Sequence, residues 1–388
     1  MKAMITPKKA VVYVIVIVLA VVAYLVVSRS TSRYNASQSF QIGQIGGSTS
    51  SLDFGNLKPY SDLRPGRLQP RQLRLLAEAD LRGQAEALFK TTFDTRTPWP
   101  PAERMPKGFD PADVIRRGMD PGLGVRALHR RGITGRGVAV AIIDQPLPPD
   151  HDEYRGKIVR YATIDVGDTT KSMHGPGVTS LLVGTSCGTA PDASLYYWAE
   201  PSWKADFAQR TKALDEIIAF NRDKPAAERI RVVSVSIGFS PLKNLGRWKR
   251  AVKKATESGL LVVHCSLDIA GLERPLYGDP DRPDEYAVSH SFGGQRAKLP
   301  SGLLYVPMDG RTVADQDGPS GYTFWGAGGL SWTAPYVAGV IALGFQVNPE
   351  LRADEVFPLL RATGTPFRDG FIINPPAFVE RVAAAAGK

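Results

Sequence analysis

The sequence predicts a three-layer α/β domain with a mainly parallel sheet, preceded by a single transmembrane helix. Apolar runs of strand length alternate with longer helical segments from about residue 121 onward, the pattern of strands joined by crossover helices. The run Gly137 to Ile143 is apolar throughout and rich in Val and Ile, as expected of a strand buried on both faces. Near the amino end, residues 10–27 form 18 consecutive uncharged, almost wholly apolar residues. As a helix they would extend ~27 Å, enough to cross a hydrocarbon core.

The chain divides in order. Residues 1–9 are a short basic terminus and residues 10–27 the anchor. Its end, Tyr24-Leu25-Val26-Val27-Ser28-Arg29, is a poor signal-peptide cleavage site, so an uncleaved anchor is expected. Charge flanking the anchor favours a cytoplasmic amino end only weakly, with the bulk of the chain outside the cytoplasm. Residues 28–51, rich in Ser, Gln, Gly and Thr, read as a flexible linker. Residues 52–120 read as a helical and extended connector or a pro-region. Within them, Gln69 to Phe89 reads as one amphipathic helix, followed by an arm marked by Trp99-Pro100-Pro101 and Phe109-Asp110-Pro111. Residues 121–388 form the α/β domain. Its strands are expected at 137–143, 194–199, 231–236, 259–265 and 302–306. Its helices are expected at 123–131, 174–184, 205–221, 244–257, 331–346, 353–362 and 376–386.

Three residues stand in settings suited to acyl-transfer chemistry. Asp144 ends the buried run and is followed by Gln145-Pro146-Leu147-Pro148-Pro149, which breaks the strand. That puts its carboxylate at the carboxyl end of a parallel strand, where open α/β sheets carry their sites. His174 opens a glycine-rich helix start, alone among the five histidines at 129, 151, 174, 264 and 290. Gly175 and Gly177 permit close backbone approach beside it. Ser331 follows Gly328-Gly329-Leu330 and precedes a small-residue apolar helix. There the backbone N–H groups and the positive end of the helix dipole could stabilise an oxyanion. Singly, each has a plainer reading, as a turn Asp, a structural His and a helix N-cap. Together they supply a nucleophile, a base and an orienter.

These residues resemble the subtilisin-like serine peptidases, whose triad runs in the order Asp, His, Ser. Ser331-Trp332-Thr333-Ala334-Pro335-Tyr336-Val337-Ala338-Gly339 is similar to that family's GTSMATPHVAG segment. His174-Gly175-Pro176-Gly177-Val178 is similar to HGTHVAG, with Gly177 in place of the second His. Asp144-Gln145-Pro146 stands where the family has Asp-Thr/Ser-Gly, and His151-Asp152-Glu153 follows at the place of its His-Pro-Asp/Glu. Gly188 to Tyr196 resembles GVAP-x-A-x-L. Val232 to Gly238 resembles the strand that lines the family's substrate groove, which assigns Ser236 and Gly238 to the groove wall. The spacings of 30 positions from Asp144 to His174 and 157 from His174 to Ser331 fit as well. The resemblance spans about residues 121–365. It implies a serine endopeptidase with Ser331 as nucleophile, His174 as general base and Asp144 as orienter, acting on a peptide or protein substrate.

One departure bears on mechanism. The family donates a hydrogen bond to the oxyanion from an Asn in a segment like SGVVVVAAAGN. Here Ser258 to Asp268 matches without gaps and puts Asp268 at the Asn. An ionised carboxylate only accepts hydrogen bonds and repels developing negative charge. Loss of such a donor costs about 2.7–4 kcal/mol. Three outcomes are open: a buried, protonated Asp268 that donates, a substitute donor such as Ser266, or a slow, narrowly specific or inactive protein. The last keeps a second function class in view, a subtilase-fold binding protein without turnover.

The remaining features narrow the classes. The formal charge of +10 concentrates around Arg116-Arg117, Arg126 and His129-Arg130-Arg131, without a nucleic-acid motif. This basic stretch is either solvated or touches anionic lipid or wall polymer. Cys187 and Cys265 form no metal pattern, and an extracytoplasmic site permits a disulfide between them without demanding one. The family's calcium loop has no counterpart, because Leu181 to Thr189 is short and carries no acidic residue. No metal or other cofactor is expected. Tyr322-Thr323-Phe324-Trp325 suggests apolar walls for a groove.

Overall fold

The computed structural model describes residues 52–236, 243–265, 268–294 and 298–387. The expected anchor (10–27) and linker (28–51) lie outside the described residues, as do Gly238 and Ser266. Among the described residues one helical stretch, Leu330–Val347, is long and apolar enough to cross a membrane, but most of it is buried inside the protein. It is a core helix.

The arm forms a core of its own. Helices α1 (Pro70–Glu78) and α2 (Ala85–Leu88), strand β1 (Phe93–Asp94) and helix α3 (Pro111–Gly118) gather Leu63, Leu76, Leu81, Leu88, Phe93, Phe109 and Val114 around Phe324. The single helix expected from Gln69 to Phe89 is two helices. Asp80 turns back to accept the Arg82 N–H at 3.2 Å, and the Leu81 N–H goes to the Arg104 carbonyl at 2.8 Å. Burying Leu81 in the arm core therefore takes the chain off the helix axis. Helix α3 starts where Asp110 caps the Ala112 N–H at 2.9 Å, with Pro111 at its first position.

The main domain continues with α4 (Val125–Arg130), β2 (Ala139–Asp144), β3 (Ile158–Thr163), α5 (His174–Val183), β4 (Ser194–Ala199), α6 (Phe207–Arg222), β5 (Ile230–Val235), α7 (Leu245–Glu257) and β6 (Leu261–His264). Strands β3-β4-β2-β5-β6 form an all-parallel sheet. The chain then runs through β7 (Ile269–Glu273), β8 (Ala287–Val288), β9 (Leu304–Asp309), β10 (Arg311–Ala314), β11 (Tyr322–Trp325), α8 (Thr333–Val347), α9 (Ala353–Ala362), β12 (Thr365–Phe367), β13 (Gly370–Ile372) and α10 (Pro375–Ala385). A mixed second sheet has the order β12-β13-β9-β7-β8, and a third, β1-β11-β10, is antiparallel.

Alternation along β2 makes the layers. Val140 and Ile142 join the core that contains Val337, Ile341 and Leu343 of α8 and Leu181 of α5. Ala141 and Ile143 face the opposite way, toward the layer of α6 and α7. Every residue of β2 is buried, which accounts for the unbroken apolar run read from the sequence.

Tyr322 to Trp325 does not line an apolar groove. Strand β1 pairs with β11 in the register Phe93↔Phe324 and Asp94↔Thr323, so the arm covers this segment. Phe324 is fully buried in the arm core and Trp325 is buried beside it.

Candidate active site

Asp144 is the last residue of β2, buried at the carboxyl end of the parallel sheet. Its carbonyl accepts the Glu200 N–H at 2.7 Å, one residue beyond β4, which holds the strand end in place. Its Oδ1 accepts the Gln145 N–H at 2.7 Å and the His174 Nδ1–H at 2.6 Å. With Nδ1 engaged as donor, Nε2 carries the lone pair of a neutral imidazole.

His174 is the first residue of α5, and Ser172 Oγ accepts its N–H at 3.2 Å. Burial pushes its pKa down, but the Asp144 charge and hydrogen bond, with the charge of Glu200, push it up further, and the net direction is upward. Gly175 leaves room for this approach: a Cβ there would collide with the Gln145 carbonyl oxygen. Glu200 and Arg210 form a buried ion pair at 2.6 Å next to this dyad. Burial raises the Glu200 carboxyl despite the opposing Arg210 charge.

Ser331 lies in a 3-10 turn, Leu330–Trp332, that leads into α8. Around this turn Thr333 Oγ1 and Cys265 Sγ donate to the Leu330 carbonyl at 2.7 and 3.1 Å. Ser236 Oγ donates to the Ser331 carbonyl at 2.8 Å, and Ser331 Oγ points back to the Ser236 carbonyl at 3.4 Å. Ser331 thus stands against Ser236 at the end of β5, and its hydroxyl bonds there and not to His174. Upstream, Asp309 Oδ1 accepts the Gly328 N–H at 2.8 Å and Oδ2 the His290 N–H at 3.2 Å. Burial pushes the Asp309 carboxyl up to about 7, against the hydrogen bonds from Ser289, Gly328 and His290.

Trp332 links the serine turn to the dyad. Its ring stacks on the His174 imidazole with centroids 5.8 Å apart at 28°. It also fills the space left by Gly177, where a Cβ would lie 2.9 Å from Trp332 Cη2 and 3.0 Å from Cζ3. The glycine that replaces the expected second His is therefore the partner of a tryptophan beside the serine. Gly177 and Trp332 are one packing solution.

Asp268 is not buried against the serine. Its side chain is 73% exposed and pairs with Arg361 at 3.7 Å, while its carbonyl accepts the Leu304 N–H at 2.9 Å. The expectation of an Asp268 buried beside the serine and donating into the site does not match this geometry, because the carboxyl lies in solvent against Arg361. Cys187 and Cys265 are both free and buried. Among the described residues no group of three or more His, Cys, Asp or Glu side chains is arranged to hold a metal. Sequence reasoning missed Asp309, the Glu200–Arg210 pair and Trp332. Each acts through contacts that no local periodicity encodes.

Residues 135–271 match the family model of the subtilases, a stretch that includes Asp144, His174 and Ser236 and ends before Ser331. The chain is 24% identical to the subtilisin-like protease PopC of Myxococcus xanthus over 272 residues, 61% of this chain and 57% of that protein. It is 27% identical to subtilisin E of Bacillus subtilis over 264 residues, 63% of this chain and 65% of that one. Subtilisin BL of Lederbergia lenta is 28% identical over 251 residues, 62% of this chain and 87% of that one. The chain thus spans less than two thirds of the first two relatives. In fold it is similar to a structure from the subtilase cytotoxin SubAB assembly, with a TM-score of 0.54, 13% identity, and 68% of this chain and 96% of that one covered.

Proposed function

We propose that this protein is a membrane-anchored serine endopeptidase of the subtilisin type. The observation that carries the reading is the buried Asp144–His174 hydrogen bond of 2.6 Å, whose imidazole stacks on the residue next to Ser331. The subtilase match and the subtilisin relatives support the same chemistry.

In this reading His174 Nε2 takes the Ser331 Oγ proton as the oxygen attacks a substrate carbonyl carbon. Asp144 holds the imidazole in the required tautomer and stabilises the imidazolium. The tetrahedral intermediate collapses to an acyl-enzyme as His174 returns the proton to the leaving amine, and water reverses the sequence. Ser331 Oγ must first leave the Ser236 carbonyl. Backbone N–H groups at the start of the turn and of α8 would supply the oxyanion donors. Asp268, exposed and paired with Arg361, neither donates to that charge nor repels it strongly.

Residues 10–27 serve as an uncleaved anchor, with the catalytic domain outside the cytoplasm and a peptide or protein as substrate. A fluorophosphonate probe tests the chemistry. Intact-mass analysis is expected to find one adduct on folded wild type and none on Ser331→Ala. Folded wild type without an adduct would favour the binding-protein reading instead. Resistance of the full chain to alkaline extraction from membranes tests the anchor.

A further inference from the structure

We infer that Arg64, carried by the N-terminal arm, is a positioning residue for His174, acting through a stack of two tryptophans. The inference rests on the peptidase reading above for its catalytic meaning, but its geometry stands independently.

Three contacts run in series. The Arg64 guanidinium carbon lies 4.2 Å from the centroid of the Trp325 ring. Trp325 meets Trp332 edge to face, centroids 5.7 Å apart at 63°. Trp332 stacks on the His174 imidazole at 5.8 Å. Both tryptophans are buried.

Each member is confined on its other sides, so the series transmits position. Trp332 Nε1 has no hydrogen-bond partner among the described residues, so packing orients that ring. Its six-membered ring is wedged at Gly177, and Cδ1 lies 2.8 Å from where a Gly328 Cβ would be. Trp325 supplies another wall of the same pocket. Arg64 covers Trp325 and is itself fixed: Nε and Nη2 grip the two Asp62 oxygens at 2.9 and 2.5 Å. The flanking backbone is tied down as well, with the Leu63 N–H on the Thr92 carbonyl at 2.7 Å and the Thr92 N–H on the Ser61 carbonyl at 2.8 Å. The planar fork thus satisfies Asp62 with its edge while its face lies on the indole, a division of labour that a lysine cannot reproduce.

The arm is then a working part of the catalytic unit and not a segment to be discarded. Its core closes on Phe324, its strand β1 extends the sheet of β10 and β11, and its Arg64 reaches the stack behind the base.

The test uses the full chain, with Arg64→Ala, Arg64→Lys and Trp325→Phe compared with wild type. Near-UV circular dichroism first establishes which variants are folded. The His174 imidazole is then titrated by NMR, and fluorophosphonate labelling rates are measured against pH. Releasing the stack loosens the Asp144–His174 hydrogen bond, which helps hold the imidazole pKa up, so the midpoint is expected to move down. Labelling is expected to slow by about 5- to 30-fold, the equivalent of one desolvated cation–π contact. Arg64→Lys is expected to recover only part of the rate. Trp325→Phe, which leaves the arm's ion pair in place, is expected to shift the same midpoint and stands in if Arg64→Ala does not fold. A folded Arg64→Ala or Trp325→Phe with the wild-type midpoint would overturn the inference. Wild type that fails to label would overturn the peptidase reading alone, because the titration reads the geometry without turnover.

Discussion

Substituting Gly177 tests the pairing of this glycine with Trp332. In Gly177→Ala the new Cβ falls 2.9 and 3.0 Å from Trp332 ring carbons and 3.4 Å from Val313 Cγ2. The first two distances are well inside ordinary carbon–carbon contact, and the ring cannot yield easily, since Trp332 is buried and braced by Trp325. Overpacking of this kind costs about 1–3 kcal/mol. Replacing glycine inside a helix returns about 0.5–1 kcal/mol. The net expectation is a loss of roughly 0–2.5 kcal/mol of stability. Labelling of Ser331 should fall as well, because the ring that moves is the one stacked on His174. Trp332→Met removes the obstructing ring, so in that background Gly177→Ala should cost nothing or stabilise. Urea unfolding of the four proteins of this cycle gives the coupling directly, expected at about 1–3 kcal/mol. Additive effects, or a Gly177→Ala single variant more stable than wild type with full labelling, would refute the reasoning.

Three further outcomes follow from the site. Asp268→Asn should leave stability within about 0.5 kcal/mol and labelling within about twofold, because the side chain is exposed; a rate gain of about a hundredfold would return position 268 to the oxyanion site. Asp309→Asn should flatten the pH dependence of stability. The unfolded carboxyl loses its proton near its ordinary value and the folded one only near 7, so between about pH 4 and 7 the native state binds more protons and stability falls as pH rises. Urea midpoints measured across that window check the slope. Glu200→Gln leaves a buried Arg210 without its counter-charge and should cost about 3–5 kcal/mol by urea unfolding. It also removes one of the charges that raise His174, so the NMR midpoint of that imidazole should fall. The stability that His174 draws from its raised pKa is fully present below its ordinary value and lost as pH rises through the folded one.

What could be read along the chain was whatever local periodicity carries. The expected helix at 353–362 matches Ala353–Ala362, and the expected strand at 194–199 matches Ser194–Ala199. The buried run ending in Asp144 was legible because a strand covered on both faces must be apolar at every position. Short strands such as β10, β12 and β13 escaped notice, because a pattern of three or four residues is too short to stand out from loop composition. The break between α1 and α2 was hidden for a different reason: Leu76, Leu81 and Leu88 keep an apolar pattern through it, and the partner that breaks the helix, the Arg104 carbonyl, is distant in sequence.

By itself the sequence determined the α/β alternation, the candidate Asp, His and Ser, and the departures at Gly177 and Asp268, since these depend on residue type and spacing. Only the tertiary structure decided what the departures mean. Gly177 is small because Trp332 occupies the volume a side chain would need, whereas Asp268 is tolerated because solvent and Arg361 take up its charge. It decided as well that Tyr322 to Trp325 belongs to a sheet shared with the arm and not to a groove. Packing volume, solvent exposure and charge pairing arise between segments distant in sequence, as between Arg64 and Trp325, and no local pattern encodes them.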